Sequence, residues 1–287
     1  MRAAIAGDVA GSRFERSVWA GDSFESAHCT GYDRLTRTNA TGERAATVDL
    51  FHPDCHVTDD TDLTIAVMDW LLSGGELRAV LRAHFRRSAR PDRFGRLFRA
   101  WAAHDTDEPC GSVGNGAAMR VSPVGFVSDD PAEVLRVARE SARATHQTPD
   151  AVAGAEAVAL GVLLARTGHT KEQIREAVAG RFGYDLLTPL DTTRRGYTFS
   201  SGCAETVPVA LRAFLEADDH EGALRRAVSV GGDTDTIACM AGAVAGAFWG
   251  IPAAVAARVE PLLAAEQLAV LRAFEARFPE SVRIAAA

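Results

Sequence analysis

The 287-residue sequence contains no Cys-x-x-Cys pair and no His-Glu-x-x-His. It also lacks any sustained alternation of polar and apolar residues. With five scattered cysteines, an odd number, the first absence removes a zinc ribbon and a disulfide scaffold. Reduced thiols in the cytoplasm are the simplest reading of Cys29, Cys55, Cys110, Cys203 and Cys239. The second absence removes the helical zinc-protease signature. The third speaks against a large sheet, and only residues 110–128 leave room for short strands. There is no basic surplus either: the net charge of -7 argues against a dedicated nucleic-acid binder. The local basic run at His84-Phe85-Arg86-Arg87, continued by Arg90, Arg93 and Arg96, reads as a solvated helix face. Residues Met1–Ala6 reach Gly7-Asp8 without the apolar core of a signal peptide, so no leader is expected. The uncharged stretch from Ile237 to Ala257 has the length of a membrane span. It is built of Ala and Gly, contains Pro252 and follows two carboxylates. A packed core helix is expected there, with Gly242, Gly246 and Gly250 permitting close approach, and no membrane association.

What the sequence does have is alanine-rich helical periodicity. Helices are expected over 62–73, 75–88, 131–144, 150–167, 171–180, 203–217, 220–229, 235–249 and 252–275. Asp130-Pro131 and Thr148-Pro149 each combine an N-cap residue with proline at the first helical position. Ser73, Gly74 and Gly75 separate the first pair of helices. No low-complexity linker interrupts the chain, so residues 1–287 are read as a single all-α domain, a compact helical bundle. The long polar segments at 22–60, 104–128 and 181–202 are the expected functional loops around one cleft.

Two acidic clusters open apolar helical runs. Thr58-Asp59-Asp60-Thr61-Asp62 precedes Leu63, and Gly231-Gly232-Asp233-Thr234-Asp235-Thr236 precedes Ile237. Alone, the first is an N-cap with an acidic first turn. The pair is more telling, because crowded carboxylates repel unless a hard cation takes their oxygens. Helix N-termini add a positive dipole end. The expectation is that both starts converge on one or two metal ions. Gly231-Gly232 would let the backbone bend sharply before Asp233.

Three further features have a plain reading and a functional one. Gly7 to Glu15 reads plainly as an N-terminal helix ending in a glycine turn, and functionally as the source of another carboxylate, Glu15. Gly111-Ser112-Val113-Gly114-Asn115 is a small-residue turn, or a run of amides that cradles an anion. It lacks the strand and lysine of a Walker loop. His146 is a helix-end cap, or a ligand-facing imidazole.

The ordered set GDVAGSRFE, TDDTD, GSVGNGAAMR, ATHQTPDA and VGGDTDTIACMAGAVAGAFWG resembles the ADP-ribosylglycohydrolase family. The resemblance covers Gly7 to about Gly250. It implies an orthogonal all-α bundle with a binuclear magnesium cleft at helix N-termini, manganese replacing magnesium in some members. By motif it implies Thr58, Asp59, Asp60, Asp233, Asp235 and Thr236 as metal ligands, with Glu15 as a mobile glutamate. Gly111, Ser112, Val113, Gly114 and Asn115 would hold the diphosphate and distal ribose, and His146 would contact ribose. Asp59 or Asp60 would position or activate the attacking water, with Glu15 assisting. The expected activity is metal-dependent cleavage of the bond between ADP-ribose and an arginine or serine acceptor, by a monomer. Arg13 and Val113 depart from many relatives at the cleft and bear on acceptor preference. Tyr197 or Phe199 offers a face for adenine. The alternatives are hydrolysis of a small conjugate such as O-acetyl-ADP-ribose, a metal-dependent phosphoesterase, and a non-catalytic reader or structural relative.

Overall fold

The computed structural model describes residues 1–15, 49–104, 106, 108, 110–194 and 197–282. Cys29 and the first part of the loop expected at 22–60 lie outside the described residues. Those described form fourteen α-helices and no strand. They are α1 (Arg2–Ser12), α2 (Asp59–Ser73), α3 (Leu77–Arg87), α4 (Arg96–Ala102), α5 (Gly116–Met119), α6 (Pro131–Arg143) and α7 (Pro149–Arg166). There follow α8 (Lys171–Phe182), α9 (Leu190–Arg194), α10 (Cys203–Leu215), α11 (His220–Val230), α12 (Thr234–Trp249), α13 (Ala253–Val259) and α14 (Ala265–Arg277). The fold is all-α, as the periodicity implies.

Helices that are apolar on every side belong in the middle of a bundle. α1 and α12 are such helices: Ala3 to Ser12 and Thr234 to Ala247 are buried without interruption. They lie along each other, and α7, α10 and α11 pack around α12. α6 covers the outer side of α7, while α14 packs on α2 and α3 follows beside it. The buried apolar residues of all these elements form one continuous cluster.

The contact between α1 and α12 is backbone against backbone. A Cβ at Gly11 would overlap the Thr234 carbonyl and lie 2.5 Å from Asp235 Cα. One at Gly7 would overlap the Ala238 carbonyl and lie 2.8 Å from Cys239 Cα. Reciprocally, a Cβ at Gly242 would come within 2.6 Å of Ala3 O, and one at Gly246 would strike Ala3 Cβ. Thr234 Oγ1 ties the pair by donating to Gly11 O at 2.8 Å. Glycine here sets interhelical distance rather than ending a helix: α1 runs through both Gly7 and Gly11, so the expected glycine turn is absent. Asp8, between them, is thereby pressed toward the start of α12.

Local signals fixed the ends of several helices. Asp130 accepts from Ala132 N at 2.9 Å and Thr148 from Ala151 N at 3.3 Å. Gly74 ends α2 in the left-handed region, φ 65°. The helix expected over 252–275 is instead α13, a 3-10 turn at Glu260–Leu262 and α14, because Pro261 cannot continue an α-helical ladder. The 110–128 region contains α5 and a 3-10 turn at Ser122–Phe126. Its only extended pairings among the described residues are isolated bridges, Ser112 with His146 and Gly114 with Gly202. No helix among the described residues is long and apolar enough to cross a membrane. The run from Ile237 stops at Gly250, φ 87°, and Pro252 begins the approach to α13.

Candidate metal centre and substrate loop

Three helix ends meet at one place. From α2 come Thr58, Asp59 and Asp60; from α12 come Asp233, Asp235 and Thr236; from α1 come Asp8 and, just past its end, Glu15. Oxygens of Asp8, Asp60 and Asp235 lie within 4.8 Å of one another, and so do oxygens of Glu15, Asp233 and Asp235. Asp235 belongs to both groups. The two acidic motifs, distant in sequence, are therefore adjacent in space.

The first helix start is held by hydrogen bonds. Thr58 is the N-cap of α2 and its Oγ1 accepts from Asp60 N at 3.2 Å. The Asp8 carboxylate receives Thr58 N at 3.0 Å, Thr58 Oγ1 at 2.8 Å and Thr61 N at 3.2 Å. Thr61 Oγ1 donates to it as well. Asp8 thus acts as an external cap, satisfying N–H groups that a helix start leaves free. Asp60 Oδ2 faces the hydroxyls of Thr58 and Thr236, each at 3.3 Å.

The second start is held by the backbone. Gly231 and Gly232 both have positive φ, 83° and 79°, a pair of conformations that side chains disfavour. This turn swings Asp233 to the N-cap position, where its side chain makes no capping bond. Instead Asp233 Oδ2 accepts from Asn115 Nδ2 at 2.7 Å. Asp235 Oδ1 accepts from Thr236 N at 2.9 Å. The Tyr197 ring stacks close over Gly232, where a Cβ would come within 2.6 Å of its Cε1. Phe199 Cα lies 3.7 Å from the same point.

Electrostatics make this cluster costly by itself. Burial, followed by the charge of Asp235, raises Asp60 well above the ordinary carboxylate range. Burial and then Asp233 do the same to Asp235. Asp233 is pushed up to about 7, by burial and then by Glu15. For Glu15 the charge of Asp235 is the larger cause and burial the second. Asp59 is less enclosed as a residue and lies outside both oxygen groups, yet its carboxylate is buried, and that burial, followed by the charges of Glu15 and Asp8, raises it too. Arg93 offers a modest counter-charge to Glu15. Asp60 Oδ1 is buried with no hydrogen-bond partner. An orphaned carboxylate oxygen amid an all-oxygen donor set fits a hard divalent cation.

Beside the cluster runs the loop Gly111 to Asn115. Gly111 has φ 64°, and the loop is zipped on both sides. Ser112 N donates to Thr145 O at 3.2 Å and Asn115 N to Ser201 O at 2.7 Å. Gly114 N donates to Ser112 Oγ at 3.3 Å. The loop's remaining amides, on Gly111 and Val113, have no partner among the described residues. Val113 is 65% exposed, so an apolar side chain stands in solvent at the loop tip. The Asn115 side chain is committed to Asp233, with Thr206 Oγ1 at 3.3 Å, which ties the loop to the acidic cluster. His146 is buried, against the start of α5: a Cβ at Gly116 would lie 3.4 Å from its Cε1.

The ADP-ribosylglycohydrolase family model matches residues 1–281. The chain belongs to that family. The mouse ADP-ribosylhydrolase ARH3 is 29% identical over 313 residues, covering 86% of this chain and 82% of the mouse protein. The human ADP-ribosylhydrolase ARH3 is 29% identical over 260 residues, covering 68% of this chain and 71% of its own. An uncharacterised protein of Archaeoglobus fulgidus is 34% identical over 149 residues, only 46% of this chain and 48% of that protein. A solved structure named an ADP-ribosylglycohydrolase-related protein complex superposes with a TM-score of 0.66 at 23% identity. It covers 98% of this chain and 95% of that one, and it supports the fold. Family membership points to a glycohydrolase.

Among the residues of this family member's acidic cluster, Asp8 is one that the sequence alone did not single out. Its partners Thr58 and Thr61 are 50 and 53 residues away, so no local pattern announces the pairing. The available signal was a lone carboxylate inside an otherwise apolar helix, which demands a partner once buried.

Proposed function

We propose that this protein is a divalent-metal-dependent hydrolase that cleaves the glycosidic bond between ADP-ribose and an acceptor side chain, arginine or serine, releasing free ADP-ribose. The observation that carries this reading is the meeting of two oxygen groups, sharing Asp235, beside the glycine loop and His146. Thr58, Asp59, Asp60, Asp233, Asp235 and Thr236 would hold one or two magnesium ions, with manganese as a substitute. Glu15 lies beside Asp233 and Asp235 in the same cluster. Bound there, magnesium supplies positive charge that fixes ribose hydroxyls and orients water.

The residues then divide the work. The free amides of Gly111 and Val113 are donors for the diphosphate. His146 contacts the distal ribose. Asp59 or Asp60 takes a proton from water as the water oxygen bonds to ribose C1″. The bonding pair of the glycosidic bond leaves with the acceptor, which gains a proton. Asp60 is the more enclosed of the two, between the hydroxyls of Thr58 and Thr236. Glu15, beside Asp235, assists proton transfer or gates the cluster. Free thiols at Cys55, Cys110, Cys203 and Cys239 fit a reducing, cytoplasmic setting.

The test is release of free ADP-ribose from matched peptides modified on arginine or on serine, with magnesium or with chelator. Magnesium-dependent release from one peptide supports the reading and names its linkage. Released AMP would point to attack at phosphorus instead. Tight ADP-ribose binding with no release from either peptide would shift the assignment to a small conjugate or a non-catalytic reader.

A further inference from the structure

Arg120 is fully buried, yet no carboxylate among the described residues pairs with it. Its Nη2 donates to Ser141 O at 2.7 Å and to Thr145 Oγ1 at 2.8 Å. Nε and Nη1 have no partner. A buried cation without a counter-charge is expensive, and capping the Ser141 carbonyl at the end of α6 uses only Nη2 of this one. Its one side-chain partner, Thr145, touches His146: Thr145 Oγ1 lies 2.7 Å from His146 Nδ1.

Donor and acceptor counting favours one direction for this chain: the second Thr145 lone pair could accept from an Nδ1–H, but the buried hydroxyl proton would then be left without an acceptor. A guanidinium only donates, so Thr145 Oγ1 accepts from Arg120. The hydroxyl proton of Thr145 has one remaining neighbour, His146 Nδ1. Nδ1 therefore accepts, and the ring proton sits on Nε2. The tautomer follows from its partners, as it does wherever the second nitrogen of a histidine is committed. Burial, and after it the nearby Arg120 charge, also opposes a second ring proton. His146 is 2% exposed and its Nε2 has no partner. That edge of the ring lies against Gly116, next to Asn115 and so beside the acidic cluster.

We propose that Arg120 and Thr145 are positioning residues, which together hold His146 as its Nε2–H tautomer and present that N–H to a hydroxyl oxygen of the ADP-ribose substrate. The assignment of the ligand rests on the proposed function; the relay itself rests on the geometry alone. A neutral imidazole with a fixed donor distinguishes a hydroxyl oxygen from a cationic group, which has no lone pair to offer.

The experiment is long-range nitrogen–proton NMR on histidine-labelled protein, with and without ADP-ribose, His146 being assigned by His146→Asn. The wild type is expected to show a single Nε2–H tautomer, with the Nε2 signal moving on ADP-ribose binding. Thr145→Val, close in shape, should give a tautomer mixture and weaken ADP-ribose binding by about fivefold, the loss of one oriented hydrogen bond. Thr145→Ser should restore both, and Arg120→Met should loosen the preference. An Nδ1–H tautomer in the wild type, or a Thr145→Val spectrum identical to it, overturns the relay. If ADP-ribose binds and His146 Nε2 does not respond, the ligand assignment is overturned while the functional reading stands. If ADP-ribose does not bind at all, the functional reading fails, and the apo tautomer still decides the relay.

Discussion

The two acidic helix starts solve one electrostatic problem by different means. At the start of α2 the backbone is ordinary, and Asp8 from another helix satisfies Thr58 and Thr61 with its carboxylate. At the start of α12 no side chain caps the helix, and two left-handed glycines set the direction of Asp233. The first start is thus tuned by side-chain chemistry, the second by conformation and close packing. The difference teaches where each is vulnerable. The first should respond to changes of charge and donor number, the second to the addition of a single carbon.

The largest effect should come from that single carbon. Gly11→Ala would force a methyl group into the Thr234 carbonyl and part α1 from α12, costing about 3 kcal/mol. Denaturant unfolding measures it, and a loss below a few tenths would refute the backbone contact. Next in size is the metal effect. The carboxylates of the cluster are raised, so metal-free protein gains stability from their protonation. That contribution is complete below the unfolded carboxylate range and is lost as pH rises, through about 7 for Asp233. In chelator, stability should therefore fall between about pH 4 and pH 7. Magnesium should remove the fall, adding about 2.7 kcal/mol at a hundredfold excess over its dissociation constant. A pH profile unchanged by magnesium would contradict the centre.

Two smaller effects separate the starts. Asp8→Asn replaces an acceptor with an NH2 that faces N–H donors, and should cost about 2 kcal/mol with magnesium present. In chelator the loss should shrink, because one repelling charge has gone; equal losses would show that charge crowding is unimportant. Gly232→Ala should cost about 1–2 kcal/mol from its positive φ alone. Calorimetry should show weakened magnesium binding in this variant through Asp233, with the α2 cap intact. Unchanged affinity would dissociate the glycine turn from the site.

Helix class and most helix boundaries were legible because alanine-rich periodicity, proline at the first turn and glycine stops are local signals. Asp130, Thr148 and Gly74 act as their residue types dictate. The short helices α4, α5 and α9 were not foreseen, since so few residues carry no periodicity of their own. The long helix expected over 252–275 divides at Pro261, whose missing N–H breaks the ladder inside an otherwise helical pattern. At the site, Thr58, Asp60, Asp233, Asp235 and Thr236 were visible as two motifs, and the fold brings them together. Asp59 shares the cluster's electrostatics but not its oxygen groups. The commitment of Asn115 to Asp233 and the chain from Arg120 through Thr145 to His146 were invisible, because each joins residues related only through tertiary packing.

The close contact of α1 with α12 also sets the order of events on the ribosome. α1 is synthesised long before its partner surface, which follows more than 200 residues later: Thr234 Oγ1 bonds to Gly11 O across 223 positions. Until α12 has emerged, the nascent chain holds a buried-type helix, with Asp8 at its middle, that has nowhere to dock. Contacts so distant in sequence form slowly and leave apolar surface open meanwhile. Assembly of the acidic cluster is therefore among the last events of folding, so a chain stalled before α12 has no means of completing it.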